Sequence, residues 1–269
     1  MEDIKFEKFE EQIFLNTVLI ENLTDKEAGT GFLISKPKEK GLHEILLFSN
    51  KHVFWGKKDK DVVGIKKKLK LTFHKKEKDN TYKLGQVHSF IIDIDRNAKE
   101  YYFEHSNFNI DVACLNVSNL NNGDIKLNGP FLQLDSFINF KRNEIYAGMK
   151  VLFIGYPSLF YDKKNFLPVM RSGTIASIPS VDFNGEPSIL LDAQVFPGSS
   201  GSPVFIFINN KYKLLGIISS SIQKGLDFVE IEVGKKEAIK KEKKNIPIQW
   251  IGLGLLFNSE TIKEVYDFA

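Results

Sequence analysis

Cysteine is almost missing from this chain. Among 269 residues only Cys114 is a cysteine, which excludes an intramolecular disulfide and fits a reducing compartment. Long hydrophobic runs are missing too: none approaches the roughly 20 residues needed to span a bilayer. The opening residues, Met1-Glu2-Asp3-Ile4-Lys5-Phe6-Glu7, lack the basic start and apolar core of a signal peptide. Together these absences set the expectation of a cytoplasmic protein with no membrane role. Without a secretory signal, the sequons Asn22-Leu23-Thr24 and Asn116-Val117-Ser118 read as coincidence. An excess of one charge is also lacking. The 37 basic and 34 acidic residues leave a net charge of +3, too balanced for nucleic acid to be the main partner. Lysines cluster at 57–76 and 235–244, but acidic residues are interleaved with them, which describes solvated loops better than a surface for an acidic partner. No internal repeat is visible.

What is present favours strands. Hydrophobic residues make up 42% of the chain and Phe alone contributes 23 residues, enough for a sizeable core and rich in types suited to pleated sheets. Residues 1–12 are charged and read as a short helix or a loose arm. Short apolar segments broken by turn residues follow at 14–20, 31–34, 44–48, 69–73, 85–94 and 112–117. The Asn- and Gly-rich stretch 116–130 reads as a connector. A second series lies at 150–154, 173–178, 188–193, 203–208, 213–219 and 250–256. The charged stretch 224–245 is a long insertion before the last of these. Ser259 is placed to cap a final helix over 260–268, with Glu260 in its first turn. Two sets of about six strands predict an all-β fold built as a sandwich or a pair of barrels.

The chemistry concentrates in Phe196-Pro197-Gly198-Ser199-Ser200-Gly201-Ser202-Pro203-Val204-Phe205. Acyl transfer needs a hydroxyl on a tight turn, with backbone N–H groups aimed at the developing oxyanion. Gly198 and Gly201 allow backbone angles that other residues resist. A Gly/Ser turn can equally be only a turn, and on these residues alone both readings stay open.

Gly198–Pro203 resembles the Gly-x-Ser-Gly-x-Pro nucleophile turn of the trypsin-like, chymotrypsin-fold serine peptidases. The run 192–201 is similar to their bacterial high-temperature-requirement branch, and 200–205 to the glutamyl endopeptidases. Two upstream segments resemble the rest of the machinery. Leu46-Leu47-Phe48-Ser49-Asn50-Lys51-His52-Val53 is an apolar strand running into a polar turn with a histidine, preceded by the glycine-bearing Gly29-Thr30-Gly31-Phe32-Leu33-Ile34. Asn109-Ile110-Asp111-Val112-Ala113-Cys114-Leu115 puts an acid at the mouth of an apolar strand. Each segment has a bland reading, as a surface histidine or a turn acid. The conjunction in the order His, Asp, Ser outweighs any one of them. His43, His74, His88 and His105 lack matching flanks, and the strand position of Cys114 marks an inert thiol.

The resemblance implies two six-stranded antiparallel barrels, at about 13–120 and 145–257, and a C-terminal helix at about 259–268, in a single peptidase domain spanning 1–269. It implies a serine endopeptidase with His52, Asp111 and Ser200 as triad, Gly198 and Ser200 amides as oxyanion hole, and Ser199 and Ser202 as turn residues. Substrate backbone would pair with the Ser219–Ser221 edge, and the side chain before the cut would enter a pocket walled by Gln194, Ser219, Ser220, Ser221 and Gly252. Gln194 stands where trypsins carry an acid, which argues against Arg/Lys specificity. Ile218 stands where glutamyl endopeptidases carry a histidine, which leaves a neutral or apolar preference. The resemblance implies no metal or cofactor, no activation by a new N-terminus and no appended peptide-binding domain. It also implies a prokaryotic setting, protein or peptide substrates and a regulatory protein partner. The alternatives are a catalytically silent double barrel used for binding and a non-proteolytic esterase.

Overall fold

A computed structural model describes residues 4–56, 64–76, 81–120, 131–140, 145–157, 160–225 and 248–269. Helix α1 (Phe9–Asn16) leads into β1 (Thr17–Asn22), β2 (Glu27–Pro37), β3 (His43–Ser49), the short helix α2 (Lys51–Trp55), β4 (Lys66–Lys76), β5 (Tyr82–Asp95), β6 (Tyr102–Glu104) and β7 (Ala113–Asn116). The second half contributes β8 (Lys150–Gly155), β9 (Val169–Ile175), β10 (Ser188–Asp192), β11 (Pro203–Ile208), β12 (Lys211–Gly225), β13 (Ile248–Asn258) and helix α3 (Ser259–Phe268). The fold is mostly β and chymotrypsin-like. The second half closes into a six-stranded barrel in the order β10-β13-β12-β11-β8-β9. The first half differs in detail from the expected six strands: its seven strands form one antiparallel sheet, β5-β4-β1-β2-β3-β7-β6, whose ends β5 and β6 do not pair with each other among the described residues. The extra strand is β6, only three residues long and too short to leave a periodic signal.

Strands facing the boundary between the halves are apolar at nearly every position, because both of their faces are covered. In β3, Leu46 and Phe48 point into the core shared by the two halves, while Ile45 and Leu47 point into the core of the first sheet. Phe205 of β11 enters the shared core and its neighbours Val204 and Ile206 fill the second barrel. The shared core thus joins the halves through tightly packed side chains, about 1.5–3 kcal/mol of burial for each large one.

The termini cross over and clamp this arrangement. Phe9 of α1 stacks on Tyr212 (ring centroids 5.0 Å apart) and meets Phe205 edge-on, so the N-terminal helix grips the second barrel. Ile262, Val265 and Tyr266 of α3 enter the shared core, and Lys36 Nζ of β2 donates to the Tyr266 carbonyl at 2.7 Å.

Three sequence expectations need correction. Residues 14–16 belong to α1, and β1 starts only at Thr17. There the Asn16 side chain replaces strand backbone, donating to Leu33 O (2.8 Å) and accepting from Leu33 N (3.1 Å). The cap of α3 is Asn258, whose Oδ1 accepts from the Glu260 and Thr261 amides; Ser259 is already helical. The strand expected at 173–178 starts earlier, at Val169, and stops at Ile175. Most of the expected connector and of the 224–245 insertion lies outside the described residues.

Candidate active site

The three candidate residues sit where interface strands begin or end. His52 follows β3, Asp111 precedes β7 and Ser200 precedes β11. Because β3 and β7 are antiparallel, with Ser49 opposite Ala113, the end of one strand delivers the histidine beside the acid at the start of the other.

Three consecutive residues hold the acid. Asn50 Nδ2 donates to the Asp111 carbonyl at 2.6 Å. Lys51, 1% exposed, donates through Nζ to the carbonyls of His105 (3.0 Å) and Asn107 (3.2 Å), in the loop leading to Asp111. His52 makes two contacts with the carboxylate: its amide donates to Oδ1 at 3.1 Å and its ring Nδ1 meets Oδ2 at 2.5 Å. A carboxylate only accepts, so Nδ1 carries a proton on the Asp111 side and Nε2 is the ring nitrogen left for other partners. Both side chains are buried, at 8% and 7% exposure. Gly56, at φ +81°, ends the turn by donating to His52 O.

Ser200 lies in a turn fixed from every side. The Ser199 amide donates to Phe196 O, the Ser202 amide to Ser199 O, and the Gly201 amide to Ile218 O. Gly198 and Gly201 have φ of +86° and +85°, in the region glycine tolerates. A Cβ on Gly201 would run into the Thr30 carbonyl and the Ser49 hydroxyl. Neither the Gly198 nor the Ser200 amide donates to a protein acceptor among the described residues. His52 and Ser200 line one cavity of about 220 Å³ with Glu27, Ala28, Val53, Pro197 and Gly198. A second, of about 500 Å³, continues from it past Glu21 and Lys26. The Ser200 hydroxyl donates to Ser219 O at 3.1 Å. No hydrogen bond joins it to His52 among the described residues.

Beyond Ile217, strand β12 is paired with β13 but no longer with β11. Among the described residues no strand pairs with the edge from Ser219 onward on the side facing Ser200, and a bulge interrupts the β13 register between Ile218 and Ser220. Gln194 is exposed. The adjacent Ala193 amide donates to Gly252 O at 2.8 Å, which brings Gln194 and Gly252 to the same region. Gly252 has φ +75° and open space where a Cβ would stand. Ser220 and Ser221 lie on the same strand, opposite Leu255 and Gly254; their side chains are outside the described residues.

Cys114 is fully buried in β7, and burial pushes its thiol pKa up. Sequence reasoning passed over Asn50, Lys51 and Thr30. For Asn50 the usable signal was its place at the end of the apolar strand β3; no local pattern marks Lys51 or Thr30.

A solved structure of Deg5 is 14% identical, with a TM-score of 0.47, over 81% of this chain and 88% of that one. No curated protein sequence matches the chain. The profile of the trypsin-like peptidase domain matches residues 29–217, a span that includes His52, Asp111, Ser200 and both free amides. The chain belongs to the trypsin-like peptidase domain family.

Proposed function

We propose that this protein is a serine endopeptidase in which His52, Asp111 and Ser200 act as the triad. The observation that carries the reading is the doubly bonded Asp111–His52 pair, with His52 and Ser200 lining one cavity, beside two amides with no protein acceptor among the described residues. Nε2 of His52 takes the Ser200 proton as Oγ attacks a peptide carbonyl. Asp111 holds the tautomer and stabilises the imidazolium. The Gly198 and Ser200 amides receive the oxyanion, and His52 then protonates the leaving amine, giving an acyl-enzyme that water hydrolyses.

The parked hydroxyl fits this sequence of events. Ser219 O, which it contacts, is the first carbonyl of the open β12 edge. A substrate strand added to that edge competes for the same carbonyl and frees Oγ to turn toward His52. Catalytic hydrogen bonds are often loose before substrate arrives. The pocket for the side chain before the cut is formed by Gln194, Ser219, Ser220, Ser221 and Gly252, and it takes neutral or apolar residues. The same reading extends to a cytoplasmic prokaryotic enzyme acting on proteins under the control of a regulatory partner.

A peptide-library cleavage profile tests the proposal. Cleavage after neutral or apolar residues by the wild type, abolished in Ser200→Ala, is the expected result. Peptide binding with no cleavage by either would turn the reading to a silent binding module, and ester hydrolysis alone would turn it to an esterase.

A further inference from the structure

We infer that Thr30, on the opposite half of the molecule from the nucleophile, is a positioning residue that sets the oxyanion hole. This rests on the peptidase reading above. Thr30 is completely buried and spends all of its polar groups around the active site. Its hydroxyl donates to Gly198 O at 2.9 Å and accepts from the Tyr156 amide at 3.0 Å. Its own amide donates to Ser200 O at 2.9 Å. Its carbonyl accepts from the Ser49 hydroxyl at 2.6 Å, one turn before His52.

The 198–199 peptide is held at both ends, by Thr30 Oγ1 on its carbonyl and by Phe196 O on its N–H. The 200–201 peptide is held likewise, by the Thr30 amide and by Ile218 O. Between them the 199–200 peptide has its carbonyl on the Ser202 amide, so the Ser200 N–H is left pointing into the cleft. At Gly198, holding the carbonyl fixes one side of the residue, and the left-handed φ of +86° turns its N–H to the same space. Glycine imposes no such conformation by itself, since it visits many. The turn therefore needs an external anchor, and the Thr30 hydroxyl supplies one from the first half. The residue thereby couples the geometry of the hole to the packing of the two halves: the same oxygen bonds the Tyr156 amide immediately after β8, and a Cβ on Gly155 would collide with it.

Removing the hydroxyl while keeping the side chain's shape isolates this role. In Thr30→Val both Thr30 backbone bonds survive, but Gly198 O and the Tyr156 amide lose their partner. A hole that is occupied only part of the time loses transition-state stabilisation and leaves ground-state binding intact. On a peptide taken from the library profile, kcat of Thr30→Val is expected to fall about 10- to 100-fold, below the loss for deleting a hole donor outright, with KM within about twofold. Affinity for a peptidyl boronate, whose tetrahedral adduct needs the hole, should fall in parallel. Thr30→Ser, which keeps the oxygen, should restore kcat to within about threefold. Thr30→Ala provides the same test should the valine variant not fold. Hydroxyl-free variants that are folded and keep wild-type kcat, a loss confined to KM, or failure of serine to restore kcat would overturn the inference while leaving the peptidase reading intact. A wild type that neither cleaves peptides nor reacts with a fluorophosphonate would overturn both.

Discussion

Replacing Asp111 by Asn separates electrostatics from shape, because the side chains are nearly isosteric. Asp111 uses both oxygens on His52, one for the backbone amide at 3.1 Å and one for Nδ1 at 2.5 Å. An amide supplies only one acceptor. If its oxygen stays on Nδ1, its NH2 is pressed against the His52 N–H, two donors at hydrogen-bond distance with nothing to accept. If its oxygen stays on the backbone amide, its NH2 faces Nδ1, which must then accept, and the ring proton moves to Nε2. The second arrangement satisfies every group and removes the base. The expected loss in kcat is about 10⁴-fold at neutral pH, equivalent to roughly 5.5 kcal/mol of barrier at 1.36 kcal/mol per decade. Thermal unfolding should shift by only a few degrees, because the Asn50 bond to the Asp111 carbonyl is untouched. Single-turnover cleavage of a library-selected peptide, with the unfolding curve measured on the same sample, provides the assay. A folded Asp111→Asn protein that loses less than tenfold in rate would refute the tautomer argument.

Other perturbations probe the frame around the site. Gly201→Ala should be far more damaging than Gly148→Ala: both glycines have positive φ, at +85° and +91°, a strain of about 1–2 kcal/mol for alanine, but only at Gly201 would the methyl collide with Thr30 and Ser49. Chemical denaturation of the two variants checks the order, and equal losses would count against the packed turn. Lys51→Met removes a buried cation's hydrogen bonds to His105 O and Asn107 O. At about 1.5–3 kcal/mol for bonds to charged groups, the expected drop in Tm is about 5–10 °C, with reduced kcat as the Asp111 loop loosens. His74 is buried, and burial pulls its pKa from 6.5 down to about 4. The unfolded chain therefore binds a proton that the folded chain resists, so this contribution is complete above about pH 6.5 and is lost as pH falls to about 4, up to roughly 3 kcal/mol. His74→Phe should flatten the acid limb of a stability–pH curve between those values, and an unchanged limb would remove His74 as its cause.

The fold class was legible because the strands meeting between the halves carry buried residues on both faces, giving the continuous apolar runs at 45–48 and 203–206 that stand out in a sequence. Boundaries were less legible. The Asn16 side chain imitates strand backbone toward Leu33, and only coordinates reveal that the chain is still helical there. The triad candidates were legible because each sits beside such a run, in a turn with distinctive neighbours. Thr30 and Lys51 were not, because their roles depend on partners 168 and 54 residues away that no local pattern encodes. The parked orientation of the Ser200 hydroxyl is likewise a matter of rotamer choice, invisible in composition or spacing.

Catalysis of the proposed kind requires that the hydroxyl of one particular serine be activated by its surroundings. Treatment of the protein with a fluorophosphonate, followed by mass-spectrometric mapping of the modified peptide, reads that activation out. A single adduct on Ser200, absent from Ser200→Ala and slowed in Asp111→Asn, is the predicted result; a folded wild type that stays unmodified between pH 6 and 9, or an adduct carried by Ser199, Ser202 or Ser219 instead, would contradict it.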